Sequence, residues 1–300
     1  MIILSAVIIV TFNRKSLLIN CLDAIANQTK LPNKIILIDN ASTDGTRNLL
    51  HEQGYLDNDK IDYIRLDKNI GGAGGFHTGM KLAYDQGYEW IWVMDDDTIP
   101  TSSALEALLT VAESSRGLTQ PVLLASKVLW TDDSLHLMNR PRFFVDRVEQ
   151  FLEAATKGLL LLRSSSFVSL MIHRDAIQKY GLPLKHYFIW NDDAEFTARI
   201  LRFETGYLVP ESIVYHKTAE NYTILANNSG RYYYHIRNTI FMLKNQSWDF
   251  QEKVKLFLVL CWYTAKYVQN NNYNLASIAS VVRGIIDGSF REGSIIKASE

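Results

Sequence analysis

The chain is poor in several things at once, and each shortage removes a class of explanation. Cys21 and Cys261 are the only cysteines in 300 residues and stand far apart. They build neither a disulfide framework nor a cysteine-rich zinc site, which fits a reducing compartment. Charge of one sign is lacking too: 31 basic and 32 acidic residues leave a net charge of −1. With acids and bases interspersed, no basic stripe marks a nucleic-acid footprint, so no nucleic-acid partner is expected. No apolar run reaches the ~20 residues that cross a bilayer, and Leu256 to Tyr263 falls far short. The opening MIILSAVIIVTFNR lacks the basic leader and small-residue cleavage site of a signal peptide. It reads as a buried strand. No low-complexity segment or internal repeat is found. The expected place is cytoplasmic, either soluble or held peripherally at the inner face of the plasma membrane.

What is present is alternation. Ile2 to Val10 is an apolar, β-branched run that suits a parallel strand buried on both faces. Leu17, Leu18, Cys21, Leu22 and Ile25 then recur at helical spacing within Arg14 to Gln28. Lys34 to Asp39 is a second strand, followed by turn chemistry at 40–45 and a helix through His51. Ile61 to Leu66 is a third strand. A glycine-rich loop and a helix from about Gly75 to Gln86 come next. Trp90 to Met94 is a fourth strand, and a capping box of Ser103 and Glu106 opens a helix through Ala112. This order predicts an α/β, Rossmann-like sheet. Such sheets bind ligands beyond the carboxyl ends of their strands. Asn13, Asp39, Asn69 and Asp95 occupy those ends and should line one cleft. Residues 120–215 read as mixed strands and loops, with strands at Leu159 to Leu162 and Phe167 to Ile172 and a helix at Asp192 to Phe203. From about 226 the chain turns aromatic and helical. The expected division is a domain of residues 1–225 and a helical C-terminal appendage of 226–300.

Asp95-Asp96-Asp97 is the sharpest chemical signal. Three adjacent carboxylates at a strand end repel one another and are costly to bury unpartnered. A hard divalent cation removes that cost, and Mg²⁺ or Mn²⁺ suits oxygen ligands and bridging phosphates. A solvated acidic turn is the plain alternative. In 69–76, glycines without Cβ allow close backbone approach to a ligand, although no Walker lysine follows. An ordinary flexible turn is the alternative there. Trp190-Asn191-Asp192-Asp193-Ala194-Glu195-Phe196 is a third cluster, readable simply as an acid-rich helix N-terminus favourable to the dipole.

Taken in order, VIIVTFNR, ILIDNASTDGT, the glycine-rich segment and WVMDDD resemble inverting family 2 glycosyltransferases of the GT-A fold. The resemblance covers roughly the first two thirds of the chain. It implies that Asp39 contacts the nucleotide base and that Thr11 and Asn13 frame the nucleotide. It implies that Asp95 and Asp97 hold the metal bridging the donor diphosphate. Asn69, Gly71, Gly74, Gly75 and Asp96 are assigned with them to the nucleotide-sugar. WNDDAEF resembles the segment whose aspartate before x-Glu is the catalytic base, which places that role on Asp193. Trp190 and Asp192 then fall to acceptor binding. GGAGGF resembles galactofuranosyltransferases within the family, and in these a histidine beyond the base completes the metal site, here His216. Many relatives carry an Arg-Asn pair near this helix, whereas His77-Thr78 stands here, so this segment does not fix the donor.

The resemblance implies UDP-galactofuranose as donor and a growing surface glycan, polyprenyl-diphosphate-linked, as acceptor. Rhamnosyl transfer from dTDP-rhamnose and a non-catalytic nucleotide- or glycan-binding module remain open alternatives. The aromatic tail reads as an acceptor-side cap, a homo-oligomer contact, or a peripheral membrane element. For the last, Lys253, Lys255 and Lys266 flank the apolar run.

Overall fold

The computed structural model describes residues 3–114, 120–221, 224–226 and 230–291. β1 (Ser5–Thr11) is buried at every position, as its β-branched run requires of a strand covered on both faces. The expected start at Ile2 lies outside the described residues. α1 (Lys15–Ala26) turns Leu18, Cys21, Leu22 and Ile25 inward, the single stripe of a helix lying on a sheet. β2 (Lys34–Asp39), α2 (Thr46–Glu52) and β3 (Ile61–Arg65) follow. After them come α3 (Gly71–Asp85) and β4 (Trp90–Asp95).

One expectation is corrected at α3. The glycine segment is the first turn of the helix, which starts at Gly71, and not a loop before it. Glycine disfavours helix interiors by roughly 1 kcal/mol each. Here the cost is offset by close packing, because a Cβ on Gly75 would stand 2.5 Å from Val10 Cγ1 and one on Gly79 2.3 Å from Ile8 Cγ2. The missing side chains let α3 lie directly on β1.

The second half departs from a purely parallel sheet. Its elements run β5 (Thr98–Pro100), α4 (Ala104–Ser114), β6 (Leu123–Leu129), β7 (Arg142–Phe143) and α5 (Val148–Thr156). Then come β8 (Leu160–Ser164), β9 (Leu170–His173), α6 (Arg174–Tyr180), α7 (Asp192–Leu201) and β10 (Gly206–His216). The strand order is β3-β2-β1-β4-β9-β6-β10-β8-β7, with β5 pairing β10. β1 to β4 pair in parallel, while β9 inserts antiparallel between β4 and β6. The result is a nucleotide-type half joined to a mixed half, with apolar cores on both faces of the one sheet.

α8 (Tyr232–Lys244), α9 (Phe250–Asn270) and α10 (Leu275–Phe290) close the chain. α8 and α9 share a core with α3, α7 and the segment before α7. Phe241, Met242, Trp248 and Leu256 pack with Ala73, Leu184, Tyr187 and Ala198 in one apolar cluster. Arg163 of β8 donates to Glu252 Oε1 at 2.6 Å and to the carbonyls of Ala198 and Ser247. Among the described residues, no helix is long and apolar enough to cross a membrane.

Candidate active site

The acidic triplet sits where parallel pairing puts it. β1 aligns Val10 with Asp95 on one side and Thr11 with Asp39 on the other. The three carboxylates then part ways. Asp96 is buried and turns back to β1, accepting from Thr11 Oγ1 at 2.7 Å. Asp97 meets the Arg14 guanidinium and, at 3.0 Å, His216 Nε2. The histidine arrives from 119 residues further along because β10 pairs antiparallel with β5, setting His216 opposite Thr98. Its other nitrogen, Nδ1, lies 2.8 Å from Asn139 Oδ1, and that contact orients the ring.

Asp95, Asp97 and His216 offer three ligand atoms all within 4.8 Å of one another. Two carboxylate oxygens and an imidazole nitrogen suit Mn²⁺ and, less typically, Mg²⁺, so the donor set fits the expected cation. The electrostatics agree. Burial and the neighbouring charge of Asp97 push Asp95 up to about 6, and burial pushes Asp96 to about 7 against the pull of Arg14. Burial also acts upward on Asp97, but the hydrogen bond and charge of His216 prevail and leave it at about 2. Two of the three carboxylates are thus uncomfortable as anions, and a divalent charge would relieve them.

Across the cleft, α7 begins with Asp192 and Asp193. Burial raises Asp193 to about 6, and burial with the adjacent Asp193 charge raises Asp192 well above the usual carboxylate range. The chain enters α7 in an unusual shape: Phe188, Trp190 and Asn191 all have φ between 63° and 65°. Left-handed non-glycine residues are costly unless the surroundings fix them. α8 supplies the fixing. Asn238 Nδ2 donates to the carbonyls of Tyr187, Ile189 and Trp190, and Arg237 to those of His186 and Tyr187.

A cleft of about 370 Å³ brings Asp95, Asp97, His216, Trp190, Asp192 and Asp193 together. The remaining expected residues lie outside it. Thr11 and Asp96 are occupied with each other. Asp39 accepts from Ser42 N and Tyr63 Oη, Asn13 Oδ1 from Thr43 N, and Asn69 Oδ1 from Asn40 Nδ2, all along the same sheet edge. Gly71, Gly74 and Gly75 are packing positions, their absent Cβ atoms making room for the Phe188 carbonyl, Ile70 and Val10; Gly72 faces the cleft instead. Of Asn13, Asp39, Asn69 and Asp95, Asp95 lies in the enclosed space, while the other three stand along the adjoining strand ends. Sequence reasoning missed Asn139, Arg140, Arg142 and Ser164 to Ser166 on the cleft wall. It also missed Arg237 and Asn238, whose signal was a polar pair inside an aromatic helix.

A parallel nucleotide-type half, an acidic turn after its fourth strand and a mixed half supplying a histidine and a second carboxylate define a GT-A glycosyltransferase fold. Residues 6–181 match the glycosyl transferase family 2 model, and the chain belongs to that family. It is 27% identical over 201 residues to the galactofuranosyltransferase GlfT1 of Mycolicibacterium smegmatis, spanning 65% of this chain and 64% of that protein. It is 28% identical over 200 residues to GlfT1 of Mycobacterium tuberculosis, with the same coverage. The chain thus spans slightly under two thirds of the length of these relatives. Among solved structures, Staphylococcus aureus TarS 1-349 in complex with UDP-GlcNAc superposes with a TM-score of 0.62 at 13% identity, over 95% of this chain and 80% of that one. GalNAc-T7 with UDP, GalNAc and Mn²⁺ gives 0.58 at 17% identity, over 84% and 54%.

Proposed function

We propose that this protein transfers galactofuranose, with inversion, from UDP-galactofuranose to a glycan acceptor, using Mn²⁺ or Mg²⁺ held by Asp95, Asp97 and His216. One observation carries the reading: those three residues and Asp193 line the same cleft. Likeness to the mycobacterial galactofuranosyltransferases favours the donor, and the UDP and Mn²⁺ of the GalNAc-T7 complex favour the cofactor. A bound cation offsets the charge that develops on the departing diphosphate. The chain's own residues do the rest. Asp193 accepts the proton of the acceptor hydroxyl as its oxygen bonds to the anomeric carbon. Inversion requires this base on the face opposite the leaving nucleotide. Burial suits Asp193 to the task by placing it near 6, close to neutral pH. Asp39 and Asn13, at the ends of β2 and β1, would receive the uridine.

The acceptor is proposed to be a polyprenyl-diphosphate-linked glycan met at the cytoplasmic membrane face. Val254, Phe257, Leu258 and Trp262 of α9 are exposed, as are Ile278, Val282, Ile285 and Ile286 of α10. These apolar faces with lysines beside them suit peripheral contact with an anionic surface. The central test is released UDP in the presence of Mn²⁺ or Mg²⁺, comparing UDP-galactofuranose, UDP-galactopyranose and dTDP-rhamnose with lipid-linked acceptors. For the rhamnose donor, released dTDP is followed instead. Turnover confined to UDP-galactofuranose is expected. Turnover with dTDP-rhamnose alone would replace the donor, and failure with all three would leave a binding module.

A further inference from the structure

One wall of the cleft carries charge that the transfer reaction as described does not use. Asn139, which orients His216, ends a short 3-10 turn, and an extended strip follows it. Arg140 has φ −65° and ψ 117°, and Arg142 opens β7. Residues two apart on an extended chain face the same side, roughly 7 Å from one another. Both line the cleft, together with Arg231 from the residue preceding α8 and the serines 164–166 of the facing strand end. Among the described residues, no ion pair or hydrogen bond engages the guanidinium of Arg140, Arg142 or Arg231. Arg142 is nonetheless fixed in place, its guanidinium stacked 5.1 Å from the centre of the Trp248 ring. The neighbouring Arg163 shows what saturation looks like here, since its donors are taken by Glu252, Ala198 and Ser247.

A guanidinium held by stacking, with its N–H fork free, is prepared for an oxyanion, and phosphate matches it bidentately. Position along the strip separates Arg142 from the donor's phosphates. In the proposed reaction a cation held by Asp95, Asp97 and His216 would meet the donor diphosphate. Arg142 lies three extended residues beyond Asn139, about 10 Å along the strip. We infer that Arg140 and Arg142 form an acceptor subsite that takes a phosphate group carried by the acceptor near its reacting hydroxyl. This rests on the glycosyltransferase reading and adds the acceptor's chemistry to it.

The test uses the full chain saturated with UDP and Mg²⁺, so that the donor's own phosphate positions are filled. Glycerol 1-phosphate is titrated in and followed by ligand-observed NMR, with neutral glycerol as control. The expected result is saturable binding of glycerol 1-phosphate alone, weakened at least tenfold in Arg140→Gln/Arg142→Gln, with UDP affinity unchanged within twofold. Both arginines are exposed, and matching thermal melting of the variant confirms that it is folded. Absence of binding, or equal binding by the variant, overturns the proposal. A fall in UDP affinity in the variant also overturns it, by assigning the arginines to the donor. If wild-type protein fails to bind UDP, the glycosyltransferase reading fails instead. The phosphate titration without UDP then still reports on the arginines.

Discussion

The Asn238 side chain, on α8, donates a 2.8 Å hydrogen bond to the carbonyl of Trp190, two residues before the start of α7. It is wholly buried and donates also to Tyr187 and Ile189. With Arg237, which holds the His186 and Tyr187 carbonyls, this amide secures the left-handed turn that delivers Asp193 to the cleft. Asn238→Ala leaves the Ile189 and Trp190 carbonyls short of a donor, while that of Tyr187 keeps Arg237, and should cost about 1–3 kcal/mol of stability. Turnover should fall at least tenfold, while UDP affinity stays within twofold, because the nucleotide edge of β1, β2 and β4 is untouched. Asn191→Gly, free to adopt φ of 63°, should restore part of the lost turnover in the Asn238→Ala background. Steady-state kinetics and UDP titration on the two variants check this, and equal loss of UDP binding would reduce Asn238 to a general structural role.

Asp193→Asn should lower turnover by roughly 10²–10⁴, the range for losing a positioned base, with UDP binding intact. Because burial raises the wild-type carboxyl to about 6, the ionised form that the proposed base requires is lost as pH falls through 6. Wild-type kcat/KM should rise about tenfold per pH unit below 6 and level off above it. The same elevation has a stability consequence. A carboxyl whose folded pKa exceeds its unfolded one destabilises the fold as pH rises between the two values. Asp193→Asn should therefore melt higher than wild type at pH 7. A flat rate profile between pH 5 and 7 would remove Asp193 from the role of base.

Asn139 makes no metal contact in this scheme, yet its Oδ1 takes the Nδ1 side of His216 at 2.8 Å and leaves Nε2 turned to Asp97. Groups that orient a ligating histidine typically contribute 10–100-fold in metal affinity. Asn139→Ala should weaken Mn²⁺ binding by that factor, measured by electron paramagnetic resonance of free Mn²⁺. His216→Ala should weaken it at least as much. Unchanged affinity in both variants would dismantle the three-residue site.

A truncation at residue 226 is a poor probe of membrane contact, because it removes Arg237 and Asn238 along with the exposed faces. Point changes separate the two. Phe257 and Trp262 are 54% and 55% exposed on α9. Phe257→Ser/Trp262→Ser should leave melting and UDP affinity unchanged. It should reduce co-sedimentation with anionic liposomes at low salt several-fold, and binding by wild type should weaken at high salt. Liposome binding equal to wild type would free these faces for an oligomer contact, which sedimentation velocity would then show.

The order of strands and helices to β4, the acidic turn that ends it and the acidic start of α7 were all readable from the chain. Each is encoded locally, by burial-driven periodicity in β1 and α1 and by residues adjacent in sequence. The glycine run reads as a loop in the sequence because its helical form depends on Val10 and the Phe188 carbonyl, which are remote in sequence but pack against Gly75 and Gly71. What tertiary structure alone decided is which distant groups share the cleft. His216 reaches Asp97 across 119 residues only through the antiparallel register of β10 with β5. Asn238 governs the approach to Asp193 only because α8 packs beside the turn that precedes α7. Register and packing between remote segments leave no periodic trace in the sequence, so the residues that orient the chemistry emerge only once the sheet has closed.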